Sequence, residues 1–117
     1  MATGPSEPFF DALKTRAEAL RHKSPELIAD VYLYPTDDGG KKLTVLPGWG
    51  CPCSCSKSSD SLFYDGWPLL DEPFAPGERR RLGFVFLSGN DGAAVLRRAG
   101  TFYLWEGRFI GEATIVA

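Results

Sequence analysis

Residues 101–105, Thr-Phe-Tyr-Leu-Trp, and residues 108–116, Arg-Phe-Ile-Gly-Glu-Ala-Thr-Ile-Val, are two β-favouring runs separated only by Glu106-Gly107. Aromatic and β-branched side chains suit a pleated, half-buried surface, and a glycine in so short a connection takes the positive φ that hairpin turns demand. The spacing predicts an antiparallel hairpin whose second strand runs to Val116.

The rest of the chain reads as more short strands punctuated by Gly and Pro. Residues 28–34 contain Val31, Tyr32, Leu33 and Tyr34, and are closed by Pro35 and Asp37-Asp38-Gly39-Gly40. Residues 42–46 form a second, short expected strand ahead of Pro47-Gly48, paired with the first as a hairpin. After the Pro76-Gly77 turn, residues 79–87 give a strand whose half from Leu82 to Leu87 is apolar on both faces apart from Gly83, which predicts a central, buried position. Residues 88–92 read as a loop, and residues 93–98 as a single helical turn before Gly100. Residues 47–76 are rich in Gly, Pro, Ser and Asp yet hold Trp49, Phe63, Trp67 and Phe74, too many aromatics for a free linker. They read as loops with one strand near residues 61–64, folded over the sheet.

Ahead of this β region, Phe9, Leu13, Ala17 and Leu20 recur at spacings of four, four and three, which places them along one side of a helix. Ser6 is the expected N-cap, Glu7 and Pro8 suit the first turn, and Ser24-Pro25 supplies the stop. The helix either packs on the domain or docks on a partner. The organisation is therefore an N-terminal amphipathic helix at 6–23 and a β domain at 27–117, with a Cys- and aromatic-rich insertion at 47–76.

Length and charge limit what such a chain does. With 117 residues there is room for one hydrophobic core, and 44% hydrophobic with 24% charged residues matches a folded globular domain. The formal net charge of -2 removes the strong positive field that non-specific nucleic-acid binding relies on, so any RNA contact has to be local. No apolar run approaches the roughly 18 residues of a membrane span, and residues 1–8 lack the basic-then-apolar plan of a signal peptide. No membrane contact and a cytoplasmic location are the expectations.

Three candidate chemistries stand out. Cys51, Cys53 and Cys55 alternate along the chain and present three thiols for a soft metal, one ligand short of a closed zinc site unless His22 joins them. The alternatives are a redox or intersubunit thiol and loop cysteines without a fixed role. Arg79-Arg80-Arg81, with Arg97, Arg98, Arg108, Lys41 and Lys42, either makes a phosphate-binding patch or is a set of solvated strand ends. Catalysis has only scattered carboxylates such as Asp37, Asp60 and Asp71 beside the single histidine, so the expectation is a non-enzyme with no cofactor. No G-x-x-x-x-G-K-[ST] phosphate loop is present, which excludes a P-loop GTPase in this sequence.

Several of these motifs occur in a telling order. Asp30-Val31-Tyr32-Leu33 precedes Asp38-Gly39-Gly40-Lys41; later, Pro76-Gly77-Glu78 leads into an apolar strand, and Thr101 to Trp105 runs into Glu106-Gly107-Arg108-Phe109-Ile110-Gly111. In that order they resemble the third, C-terminal domain of translation elongation factor Tu, with Lys41 where the family has Arg and Trp105 where it often has a basic residue. The resemblance covers roughly residues 28–116. It implies an all-β fold, a closed antiparallel barrel of about six strands, which the reading of short strands and Gly/Pro turns also gives. It further implies a non-catalytic binding module contacting a protein partner or tRNA of the translation machinery. Gly39, Gly40, Lys41, Lys42, Trp105, Glu106, Gly107, Arg108 and Gly111 are then the expected partner-binding positions. The alternative is a protein-interaction or immunity-type factor that keeps the barrel as a scaffold and binds through the residues between Trp49 and Phe74.

Overall fold

In the computed structural model, which describes residues 7–58 and 60–117, six antiparallel strands close into a barrel. They are β1 (Leu27–Leu33), β2 (Cys51–Ser54), β3 (Tyr64–Pro68), β4 (Arg79–Phe86), β5 (Thr101–Trp105) and β6 (Phe109–Ile115). Around the wall they follow the order β1, β4, β3, β2, β5, β6, and β6 pairs back onto β1. Two helices, α1 (Glu7–Arg21) and α2 (Asn90–Ala99), complete the fold. The barrel and its N-terminal helix are the architecture expected from the sequence.

Strand periodicity places the core. Along β1, Leu27, Ala29, Val31 and Leu33 are buried, while Ile28, Asp30 and Tyr32 between them point to the outside. In β4, Phe84 meets Phe102 of β5 edge to face with centroids 5.3 Å apart, and Phe84 stacks along Phe86. Leu104, Ile110 and Ala113 join them, and α2 adds Ala93 and Leu96 beside β4 and β5. Leu87, grouped with the buried run by its sequence, lies one residue past β4 and is exposed.

The terminal hairpin forms as expected. β5 and β6 pair from Thr101↔Thr114 to Leu104↔Gly111, shift register at Leu104/Trp105, and turn through Glu106-Gly107-Arg108 with Gly107 at φ 74°.

Residues 42–46 do not form the expected strand, so β1 has no hairpin partner there and pairs with β4 and β6 instead. Val45 alone is buried, bridging Phe74, whereas Leu43 and Leu46 are 72% and 37% exposed. One buried apolar side chain does not supply the alternating face that holds a strand in register. The second strand comes from the cysteine-bearing segment, and β3 begins at Tyr64 and runs to Pro68, so residues 47–76 supply two staves of the barrel wall rather than a cover over it. The helical turn expected at 93–98 extends to the ten residues of α2. Its Asn90-Asp91-Gly92 start reads as a loop, but Gly92 is buried against Ser88 and the Tyr64 ring, where a Cβ would collide.

The N-cap expected at Ser6 lies outside the described residues. Helix α1 carries Leu13, Ala17 and Leu20 half-buried and rests on the Pro47-Gly48 turn. Gly48, at φ 98°, comes so close to the Leu13 carbonyl that any side chain there would overlap it, and Arg16 Nη1 donates to the Gly48 carbonyl at 3.2 Å.

Candidate functional site

The outer face of β1, β6 and β5 carries an aromatic strip built by register. Tyr32 lies opposite Glu112, and Glu112 lies opposite Tyr103, so the three stand in one outward row across three strands. Each tyrosine alternates with core residues on its own strand, which is why it faces out. Tyr34, one residue past β1, is tied in where its hydroxyl donates to Glu112 Oε1 at 3.0 Å and its ring meets Tyr32 edge to face at 5.8 Å. Phe109 sits against Tyr103 in the same geometry at 6.3 Å.

The connection between β2 and β3 folds down over this strip. Phe63 stacks on Phe109 at 6.3 Å and tilts onto Trp105 at 6.0 Å, and both remain open to solvent, 44% and 37% exposed. An open, mainly apolar groove of about 580 Å³ runs between Pro52, Phe63, Asp65, Trp105 and Phe109. At its edge, Lys57 Nζ stands over the rings of Tyr34, Tyr103 and Phe109 at 5.0, 5.1 and 5.9 Å from their centroids. At the other end of the strip the Arg79 guanidinium covers Tyr32 at 4.1 Å. The Tyr34 hydroxyl beside it holds the Lys57 ammonium above the ordinary lysine pKa, with Tyr103 and Glu112 adding to the effect. Burial pushes the Tyr34 phenol up in turn.

The partner-binding positions expected from the resemblance divide into three groups. Glu106 brings the two turns together: Lys41 Nζ pairs with its Oε1 at 3.1 Å and Trp49 Nε1 donates to its Oε2 at 2.8 Å. Gly39 and Gly107 shape turns at φ 89° and 74°, while Gly40 and Gly111 are buried where a Cβ would press on the carbonyls of Tyr34 and Tyr32. Those glycines set the backbone, and the buried Gly40 and Gly111 offer no contact surface. Trp105, Lys42 and Arg108 are exposed, and Trp105 alone belongs to the aromatic strip.

Most of the expected phosphate-binding cations are already engaged. Arg81 grips Asp30 across the β1–β4 pair through Nε at 2.8 Å and Nη2 at 3.2 Å, which holds the Asp30 carboxyl below the usual carboxylate range. Arg80 donates to the Glu72 and Pro73 carbonyls and lies over Phe74, and Arg97 donates to the Glu26 carbonyl. Lys42, Arg98 and Arg108 remain, on three separate segments.

The thiols separate as well. Cys51 and Cys53 face the interior of the barrel, two residues apart on β2, while Cys55, past the strand end, is exposed. The Cys53 thiol donates to the Cys51 carbonyl at 3.5 Å, and the neighbouring Cys51 thiol, followed by burial, raises its pKa well above the ordinary thiol value. Among the described residues no group of three His, Cys, Asp or Glu side chains is placed to hold a metal ion, and His22 is exposed at the end of α1.

Sequence reading passed over Tyr32, Tyr34, Tyr103 and Glu112 as members of a site. Period-two alternation in 30–34 and 101–105 carries the signal for the tyrosines, because once Leu33, Phe102 and Leu104 are assigned inward the tyrosines must face out. Lys57 and Phe63 carry no such signal. The chain matches no model of a known protein family, and no curated protein matches it. Among the described residues no helix is long and apolar enough to cross a membrane.

Proposed function

We propose that the chain is a non-catalytic binding barrel of the elongation factor Tu third-domain kind, and that it grips a protein partner through the Phe63–Trp105 face. One observation carries the reading: two large aromatic side chains stand exposed beside an apolar groove, whereas Phe74, Phe84 and Phe102 are buried in the barrel core. Exposed Trp and Phe clustered at a groove are what the centres of protein interfaces use. A protein is favoured over tRNA because Lys41, Arg79, Arg80, Arg81 and Arg97 each already have an intramolecular partner. The order of the family-like turns, joined at Glu106, supports a partner within the translation machinery. An immunity-type factor would use the same face on a protein outside it.

The test is a photo-crosslinking residue placed at Phe63 in the full chain, with Arg98 on α2 as the control position. The expected result is a discrete crosslinked partner from Phe63 only, with binding of the purified partner weakened about 5–30-fold by Trp105→Ala, the loss typical of an interface anchor of 1–2 kcal/mol. Crosslinks of equal yield from both positions overturn the reading. So does a salt-sensitive tRNA mobility shift that is abolished by Lys42→Ala with Arg108→Ala and untouched by Trp105→Ala.

A further inference from the structure

The face just described contains a second, more specific feature. Three rings from three segments, Tyr34 after β1, Tyr103 on β5 and Phe109 on β6, converge on a single nitrogen, Lys57 Nζ, each within about 6 Å, the range of cation–π attraction. Beneath them, Glu112 accepts a hydrogen bond from the neutral Tyr34 hydroxyl and, among the described residues, has no ion pair within 4.0 Å. With Lys57 withdrawn, this is an open aromatic cage with an unneutralised carboxylate at its wall. We propose that Tyr34, Tyr103, Phe109 and Glu112 form a receptor for the ammonium head of a lysine side chain presented by a partner protein, and that Lys57 is its displaceable resident.

The chemistry of the occupant follows from the occupant already there. An unmodified lysine ammonium sits in the cage, so the spacing of the rings suits that group. Quaternary ammonium ligands bind similar cages by the same attraction to the ring faces. Lys57 belongs to the Ser-rich connection after β2, outside any strand, so its departure breaks no ladder pairing. It also lines the groove beside Phe63 and Trp105, which puts the cage within one side chain's length of a protein seated there. A tethered competitor acts at an effective concentration in the millimolar range, so the cage is masked toward weak ligands until the tether's charge is removed. The inference deepens the protein-binding reading by naming what the partner must offer, and a small cation tests the cage whether or not that reading holds.

The experiment titrates Nα-acetyl-lysine-N-methylamide and, separately, choline into the full chain at constant ionic strength, following the aromatic NMR signals of Tyr103 and Phe109. Wild type is compared with Lys57→Ala and with Lys57→Gln, which keeps a stem but no charge. The expected result is a saturable shift in both variants, with affinity for the lysine amide about tenfold above wild type, the release of an intramolecular competitor. Choline binds no tighter than the lysine amide, and adding Tyr103→Ala removes the response while the backbone amide spectrum stays folded. The cage is overturned if neither folded variant shows saturable shifts, or if wild type responds as strongly as both. Choline binding well above the lysine amide overturns the assignment to a protein lysine. Failure here with Trp105-dependent crosslinking intact removes the cage and leaves the groove, and the converse removes the groove reading alone.

Discussion

The stretch of wall made by β4, β1, β6 and β5 and the stretch made by β3 and β2 close the same barrel by different means. In the first, β1 stays in register with β4 from Leu27↔Phe84 to Tyr32↔Arg79 and with β6 from Ala29↔Ile115 to Leu33↔Gly111. In the second, β2 touches β5 only at Cys53↔Leu104 and Ser54↔Tyr103. The second stretch also contains prolines within its strands, Pro52 in β2 and Pro68 in β3, where the first contains none. Proline cannot donate to a ladder, so its presence marks strands that depend less on one. What holds β2 and β3 is fit: Cys51, Cys53 and Ser54 are small and buried, and Gly66 lies under the Phe86 ring so closely that an added Cβ would stand 2.6 Å from it. One wall is specified by backbone pairing and the other by the shapes of side chains.

Moving a proline between the two walls tests this most severely. Thr114 on β6 is exposed, so Thr114→Pro removes little packing, yet it strikes a strand paired on both sides and is expected to cost about 3 kcal/mol or more in urea denaturation. Pro52→Ala in β2 is expected to change stability by less than about 1 kcal/mol. Equal costs for the two would erase the distinction. Next in size is Gly66→Ala, expected to destabilise by about 1–3 kcal/mol because the Phe86 ring must move within a filled core. A neutral result would mean that the packed wall is loose. The smallest effect sharpens how the turns join the walls. Lys41→Ala removes an ion pair to a half-exposed Glu106 and is expected to cost at most about 1 kcal/mol, shrinking as salt is added; a double-mutant cycle with Glu106→Gln isolates the coupling.

The same contrast explains what could be read in advance. β1, β4 and the terminal hairpin were legible because ladder-held strands carry β-favouring residues, in alternation at 28–34 and 101–105 and as a run apolar on both faces in the second half of 79–86. β2 was not, because Cys-Pro-Cys-Ser looks like loop composition, and its small buried thiols belong to the same core cluster as Phe84, Phe86 and Phe102, which lie far from it in the chain. Residues 42–46 misled in the opposite sense, because of their apolar residues only Val45 faces the interior while Leu43 and Leu46 are exposed. At the candidate site, Trp105 was expected only through the resemblance, by its place before Glu106-Gly107, whereas the convergence of Tyr34, Lys57, Tyr103 and Phe109 joins positions far apart in the chain through barrel closure. No local pattern encodes that meeting.

Closure has one more consequence. Because the strands form a complete ring, the barrel has no terminal edge strand for an extended peptide to lengthen. A partner has to read this molecule through the identities of the side chains that decorate its exterior, so discrimination between ligands rests on a few rings and charges, and a single substitution among them can redirect it while the barrel beneath stays the same.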